Sequence, residues 1–169
     1  MQEIIAHTPR WVFGLFIALV YLGLQQSKVR TVTITRLTLL PLAMLGLSFS
    51  GVWNTFNGAS LGITFWLAAM VATAVLAQWI AFDKGVRYLP ETRSFILPGS
   101  WLPLALMMAI FFTKYAVGIV LSQRAELAAM PAFVIVVSLA YGFFSGAFFG
   151  RTLKIMVSHG RQALNGIFA

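Results

Sequence analysis

Five stretches of this chain are long and apolar enough to cover the hydrocarbon of a bilayer. They lie at about 9–24, 34–53, 61–82, 101–121 and 131–150. A helix rises about 1.5 Å per residue, so roughly 20 apolar residues cross about 30 Å of lipid tails. A backbone surrounded by lipid must satisfy its own N–H and C=O groups, which restricts such stretches to helices. The sequence therefore predicts an all-α membrane protein, a single integral membrane domain with five transmembrane helices. Composition agrees: 60% of the 169 residues are hydrophobic and 9% are charged. A soluble domain carries about 45–50% and about 25%. That gap excludes an ordinary globular enzyme, a disordered tail and a secreted disulfide scaffold. The absence of cysteine excludes thiol–disulfide exchange, thiolate metal sites and haem attachment through cysteine.

The first stretch is the shortest, and a signal peptide is the competing reading. Its preceding segment, MQEIIAHTPR, holds one acidic and one basic side chain, and no small-residue cleavage site follows. It reads as a retained helix.

Twelve Lys and Arg against four Asp and Glu leave a net charge of +8. In a soluble protein this would suggest nucleic acid. Here the cations sit singly in short loops, with no basic stripe, so topology accounts for them and nucleic acid is not expected. Lys28, Arg30, Arg36, Lys84, Arg87, Arg93, Arg151, Lys154 and Arg161 fall on one side, Arg10 and Arg124 on the other. Basic residues gather in cytoplasmic loops. The expected orientation has the N-terminus outside and the C-terminus cytoplasmic, in a bacterial cytoplasmic (inner) membrane crossed several times.

Only the segment 83–100 is long and polar among the connections. Two short alternating runs, 85–88 and 94–97, flank Leu89-Pro90-Glu91-Thr92, with Val86 and Tyr88 on one face, as are Phe95 and Leu97. This predicts a small cytoplasmic β-hairpin over 85–97, packed on helix ends or on the C-terminal tail, because a lone hairpin is marginal in water. The tail 151–169 carries a stripe of Leu153, Met156, Val157, Gly160, Leu164, Ile167 and Phe168. It predicts an amphipathic helix in the headgroup region, with Arg151, Lys154 and Arg161 in contact with the membrane surface and membrane lipid as partner. No internal repeat is visible, and five spans do not divide into the equal halves of an inverted-repeat transporter.

Lys114 lies inside the fourth stretch, about 12 Å from its outer end. A charge at that depth is costly and points to function unless its ammonium snorkels to the headgroups. Glu3, Asp83, Glu91 and Glu126 all lie outside the spans, so no carboxylate sits at its depth. Its partners are carbonyls, water, an anionic ligand, or the hydroxyls of Thr73, Tyr115, Tyr141 or Ser145. Ligand or ion contact through these residues and a structural role both remain open.

The fifth stretch contains Gly142, Gly146 and Gly150 in one register, with phenylalanines between them. Glycines four apart form a groove that admits another backbone. The third stretch offers Ala69, Thr73, Ala77 and Ala81 as a matching series. The groove takes either this internal neighbour, which is favoured, or a second copy of the chain or another membrane protein. Gln78, Asp83 and Arg36 suggest a polar cluster at the cytoplasmic end, built on pairing of Asp83 with Arg36 or Lys84. His7 and His159 fall on opposite sides, so no metal site or cofactor is expected, and the methionines read as core. No nucleophile–base set, catalytic carboxylate pair or phosphate loop is present, so catalytic residues and enzymatic activity are not expected.

Pro98-Gly99-Ser100-Trp101-Leu102-Pro103-Leu104, followed ten residues later by Lys114-Tyr115, resembles a family of short proteobacterial inner-membrane proteins of unknown function. The resemblance implies a multi-pass inner-membrane protein and no activity. In physical terms, Pro98 and Gly99 end the hairpin, Ser100 caps the next helix, Trp101 anchors it at the interface and Pro103 suits its first turn. Two functions compete: a non-enzymatic accessory or assembly protein acting through helix packing, and a small oligomeric transporter or channel using Lys114 for a polar or anionic solute.

Overall fold

The computed structural model describes residues 10–80, 85–89 and 94–167. It is mostly helical with one small sheet. The helices are α1 (Arg10–Gln26), α2 (Ile34–Thr55), α3 (Ser60–Leu76), α4 (Leu102–Gln123) and α5 (Pro131–Ile167). A short 3-10 helix, Ala125–Ala129, leads from α4 into α5. Three stretches are long and apolar enough to cross a membrane: Thr35–Thr55, Leu102–Gln123 and Pro131–Val157. With 17 residues each, α1 and α3 are apolar but shorter. Together these helices suggest a membrane protein.

Two elements differ from the sequence expectation. The expected third span ran to residue 82, but α3 stops at Leu76. The backbone there tightens: Gln78, Trp79 and Ile80 donate to carbonyls three residues back rather than four. The expected separate tail helix does not exist as such. Residues 131–167 form one helix of 37 residues, about 55 Å long. No proline or unpaired polar group interrupts it near Gly150, so the helical ladder continues past the end of its apolar part. The buried face there is also different: Thr152 and Ile155 turn inward and Met156 is half-buried, while Leu153 and Val157 are exposed.

The expected hairpin forms and gains a third strand. Strands β2 (Arg87–Leu89) and β3 (Ser94–Leu97) pair antiparallel, with Tyr88 opposite Phe95. On the other edge of β3 lies β1 (Arg30–Thr33), with Val32 opposite Phe95. The order is β1-β3-β2. The period-2 alternation of strands puts Val32, Phe95, Leu97 and Tyr88 on one face. That face packs with Val86 on Leu37 and Ile155. The sheet therefore sits against the start of α2 and the C-terminal half of α5, and it ties the α1–α2 and α3–α4 connections to one end of the bundle.

Above the sheet, α3 and α5 make the tightest helix contact. Helix α2 joins them through Val52, Phe56, Trp66, Val137 and Tyr141. Helix α1 packs on α4 through larger groups: Phe16 lies 5.3 Å from Phe111, ring centroid to centroid. Met107 and Leu106 of α4 reach Phe148 of α5 and connect the two parts.

Candidate functional site

The side chains that sequence reasoning singled out do not gather in one place. They fall into a seam, a polar core and a cluster at the sheet end, all built along α5.

Gly142, Gly146 and Gly150 face α3. A Cβ on Gly142 would strike the Trp66 carbonyl oxygen and Ala69, and one on Gly146 the Met70 carbonyl oxygen and Thr73. On Gly150 it would come within 2.6 Å of the Ala77 Cβ. The two series of small residues thus meet backbone to backbone, and Ala81 lies outside the described residues. The seam extends one step further than the sequence suggested. Ser138 lies four residues before Gly142 and is fully buried (0% exposed) against Gly62 of α3. Its hydroxyl has no hydrogen-bond partner. A serine among glycines at the same spacing was the available signal.

Lys114 sits midway along α4, and its ammonium reaches α2. Nζ donates to the Leu47 carbonyl at 3.1 Å and lies 5.9 Å from the centre of the Tyr141 ring. Gly51, one turn along α2 from Leu47, leaves the space: a Cβ there would be 3.3 Å from Nζ and 3.3 Å from the Tyr141 ring. Of the expected ligand contacts, the structure brings Lys114 and Tyr141 together. Ser145 lies beyond the Tyr141 ring's own backbone, where its hydroxyl donates to the Tyr141 carbonyl at 3.0 Å. Tyr115 stacks on Phe111, 6.2 Å between ring centres, and Thr73 belongs to the seam. Sequence reasoning missed Ser48 and Trp66. The Trp66 indole donates to the Ser48 hydroxyl at 2.9 Å, which in turn donates to the Tyr141 carbonyl at 3.1 Å. This chain joins three helices, with each hydroxyl both placed and satisfied.

At the sheet end, Gln78 donates to the carbonyls of Ala74 and Gly150, both at 3.1 Å. Lys154 donates to the Gln78 carbonyl at 2.7 Å. Lys154, expected at the membrane surface, thus closes the end of the seam. Arg151 is half-buried and faces a cavity of about 40 Å³ lined also by Arg30, Arg36, Gln26 and Thr152. Arg30 donates to the Gln26 side-chain carbonyl at 3.1 Å, and burial lowers its pKa below the usual arginine value. Arg36, expected in a cluster with Gln78 and Asp83, also lines this cavity. The pairing of Asp83 with Arg36 or Lys84, and the side chain of Arg161, lie outside the described residues. Among the described residues no three His, Asp or Glu side chains gather.

The motif 98–104 has its own geometric cause. Gly99 passes so close to the end of α1 that a Cβ would strike the Ser27 carbonyl, and Ser100 N–H donates to the Gln26 carbonyl at 3.1 Å. The Ser100 hydroxyl accepts from the Leu102 N–H at 3.3 Å, and Pro103 lies buried in the first turn of α4. A family of unknown function, DUF6622, matches residues 1–163. The chain belongs to that family. No curated protein and no solved structure matches it. In this DUF6622 chain the match takes in the seam, the Lys114 niche and the arginine cavity alike.

Proposed function

We propose that this chain is a multi-pass protein of a bacterial inner membrane, non-enzymatic, serving as an accessory or assembly partner through helix packing. Its five helices all cross, with the N-terminus outside and the C-terminus cytoplasmic. The pairing of β1 with β3 supports this topology, because both intervening connections must then lie on one side, together with Arg151 and Lys154. The 17 residues of α1 and of α3 cover about 26 Å, at the short end of what crosses a bilayer.

The observation that carries the accessory reading is how the intramembrane polar groups are used. Lys114, Ser48, Ser145 and Trp66 each hold one helix to another or to its own backbone. Such bonds give a bundle a fixed shape rather than a reacting set. The glycine groove is filled by α3, so a partner meets the other apolar sides, including Ile17 and Tyr21 of α1 and Leu39 of α2, all more than 60% exposed.

The half-buried position of Lys114 between α2, α4 and α5 favours a second reading, a small oligomeric channel or transporter for a polar or anionic solute. Proteoliposome flux of anions, measured with Lys114→Met and Lys114→Arg, separates the two. The accessory reading expects no flux above protein-free vesicles in any of the three proteins, and folded, monodisperse Lys114→Met. Flux in wild type that Lys114→Met abolishes and Lys114→Arg retains would establish the channel instead.

A further inference from the structure

Three arginines from three separate elements line one small cavity. Arg30 comes from β1, Arg36 from the first turn of α2 and Arg151 from α5, with Gln26 and Thr152 beside them. Arg30 and Arg151 are close enough to repel each other. Like charges brought together in a partly buried place raise the free energy of the empty fold unless an opposite charge joins them. Arg30 has a neutral amide oxygen as its acceptor. Among the described residues the acidic side chain is Glu126, in the 3-10 helix that precedes α5. From Pro131 to Arg151 the helix alone rises about 30 Å, so Glu126 cannot reach.

The cavity measures about 40 Å³. That is roughly three times the least volume that admits one water. Each guanidinium offers a planar fork of N–H donors that matches the oxygens of a phosphate. Arg36 is exposed at the rim while Arg30 and Arg151 are half-buried, so donors are available at the mouth and further in. The amide of Gln26 and the hydroxyl of Thr152 complete a set with more donors than this chain's described acceptors use.

We propose that this cavity is an oxyanion site, and that it binds a phosphate group held between Arg30, Arg36 and Arg151. The group comes from an anionic lipid headgroup or from free phosphate. Arg151 directly follows Gly150, the last glycine of the intramembrane seam, which sets the site at the level of the headgroups. The lipid source rests on the topology proposed above, whereas the oxyanion chemistry does not.

The full chain purified in detergent tests both. Its unfolding midpoint is followed against inorganic phosphate, with sodium chloride at matched ionic strength as reference. Native mass spectra are recorded after exposure to phosphatidylglycerol and, separately, phosphatidylcholine. Phosphate should raise the midpoint with the logarithm of its concentration, beyond the chloride reference. Arg30→Gln with Arg151→Gln should abolish that rise, and Arg36→Gln, at the exposed rim, should weaken binding about tenfold, the worth of one charged hydrogen bond. Arg87→Gln, an exposed cation on β2, should change nothing. A discrete phosphatidylglycerol adduct lost in the arginine variants assigns the lipid as source. A phosphate response without that adduct assigns the free anion and leaves the site standing even if the topology is wrong. Equal responses to phosphate and chloride with no specific adduct, or retention of binding in both arginine variants, would overturn the site.

Discussion

The two halves of α5 treat polar groups in opposite ways. From Ser138 to Gly150 the helix presents small residues to α3, and its carbonyls collect hydroxyl and amide donors from neighbouring helices. Just beyond, Arg151 shares a cavity with Arg30 and Arg36, where among the described residues Arg30 donates to the neutral amide oxygen of Gln26. The first half spends side chains on making one shape. The second gathers three arginines around one cavity.

The sharpest test of the contrast lies in the seam. Gly146→Val would drive a branched side chain into the Met70 carbonyl and Thr73, and overpacking of this kind costs about 3 kcal/mol. Gly118→Val, on α4 where nothing lies within 4 Å, should change reversible unfolding in micelles by less than about 1 kcal/mol. Equal losses at the two glycines would mean that α3 and α5 do not approach as described. The next effect has a sign as well as a size. Ser48→Ala strands the Trp66 indole N–H and should destabilise by about 2 kcal/mol, whereas Ser138→Ala removes an unpartnered buried hydroxyl and should stabilise by about 1 kcal/mol. A loss at both serines would show that Ser138 is bonded in the membrane. The smallest effect belongs to the other half of α5. In protein freed of phosphate and anionic lipid, Arg151→Gln should be neutral or stabilising by a few tenths of a kcal/mol, because it relieves repulsion at a partly solvated site. Thermal unfolding in a neutral detergent reads it, and a loss as large as that at Ser48 would make Arg151 a structural residue like its intramembrane neighbours.

The seam was legible in advance because glycines four apart in an apolar run have few uses other than close approach, and the small residues of α3 answered them. The β2–β3 hairpin was legible from alternation around a turn-forming tetrapeptide. β1 was not: four residues, Arg30–Thr33, are too short for a period, and their partner lies some 60 positions away. The unbroken length of α5 was hidden by its composition, since polarity changes at Arg151 while the backbone has no reason to stop. The arginine cavity was hidden for a similar reason. Charge counting expects Arg30, Arg36 and Arg151 on one side of a membrane, but only the packing of the sheet on α5 puts them around one cavity. Lys114 was legible as an anomaly, yet its partner, a backbone carbonyl on α2, leaves no mark in the residue types.

The sheet's order, β1-β3-β2, also sets a timetable for biosynthesis. β1 leaves the ribosome just after α1, but the strand that completes it follows only after α2 and α3. At about 5–20 residues per second, that strand edge waits roughly 3–12 s for its mate. Arg30 waits longer still, until the far end of α5 is made. Completion of the last helix is therefore the event that both closes the seam and brings Arg151 to the cavity, so a chain truncated before α5 would carry Arg30 and Arg36 without the pocket.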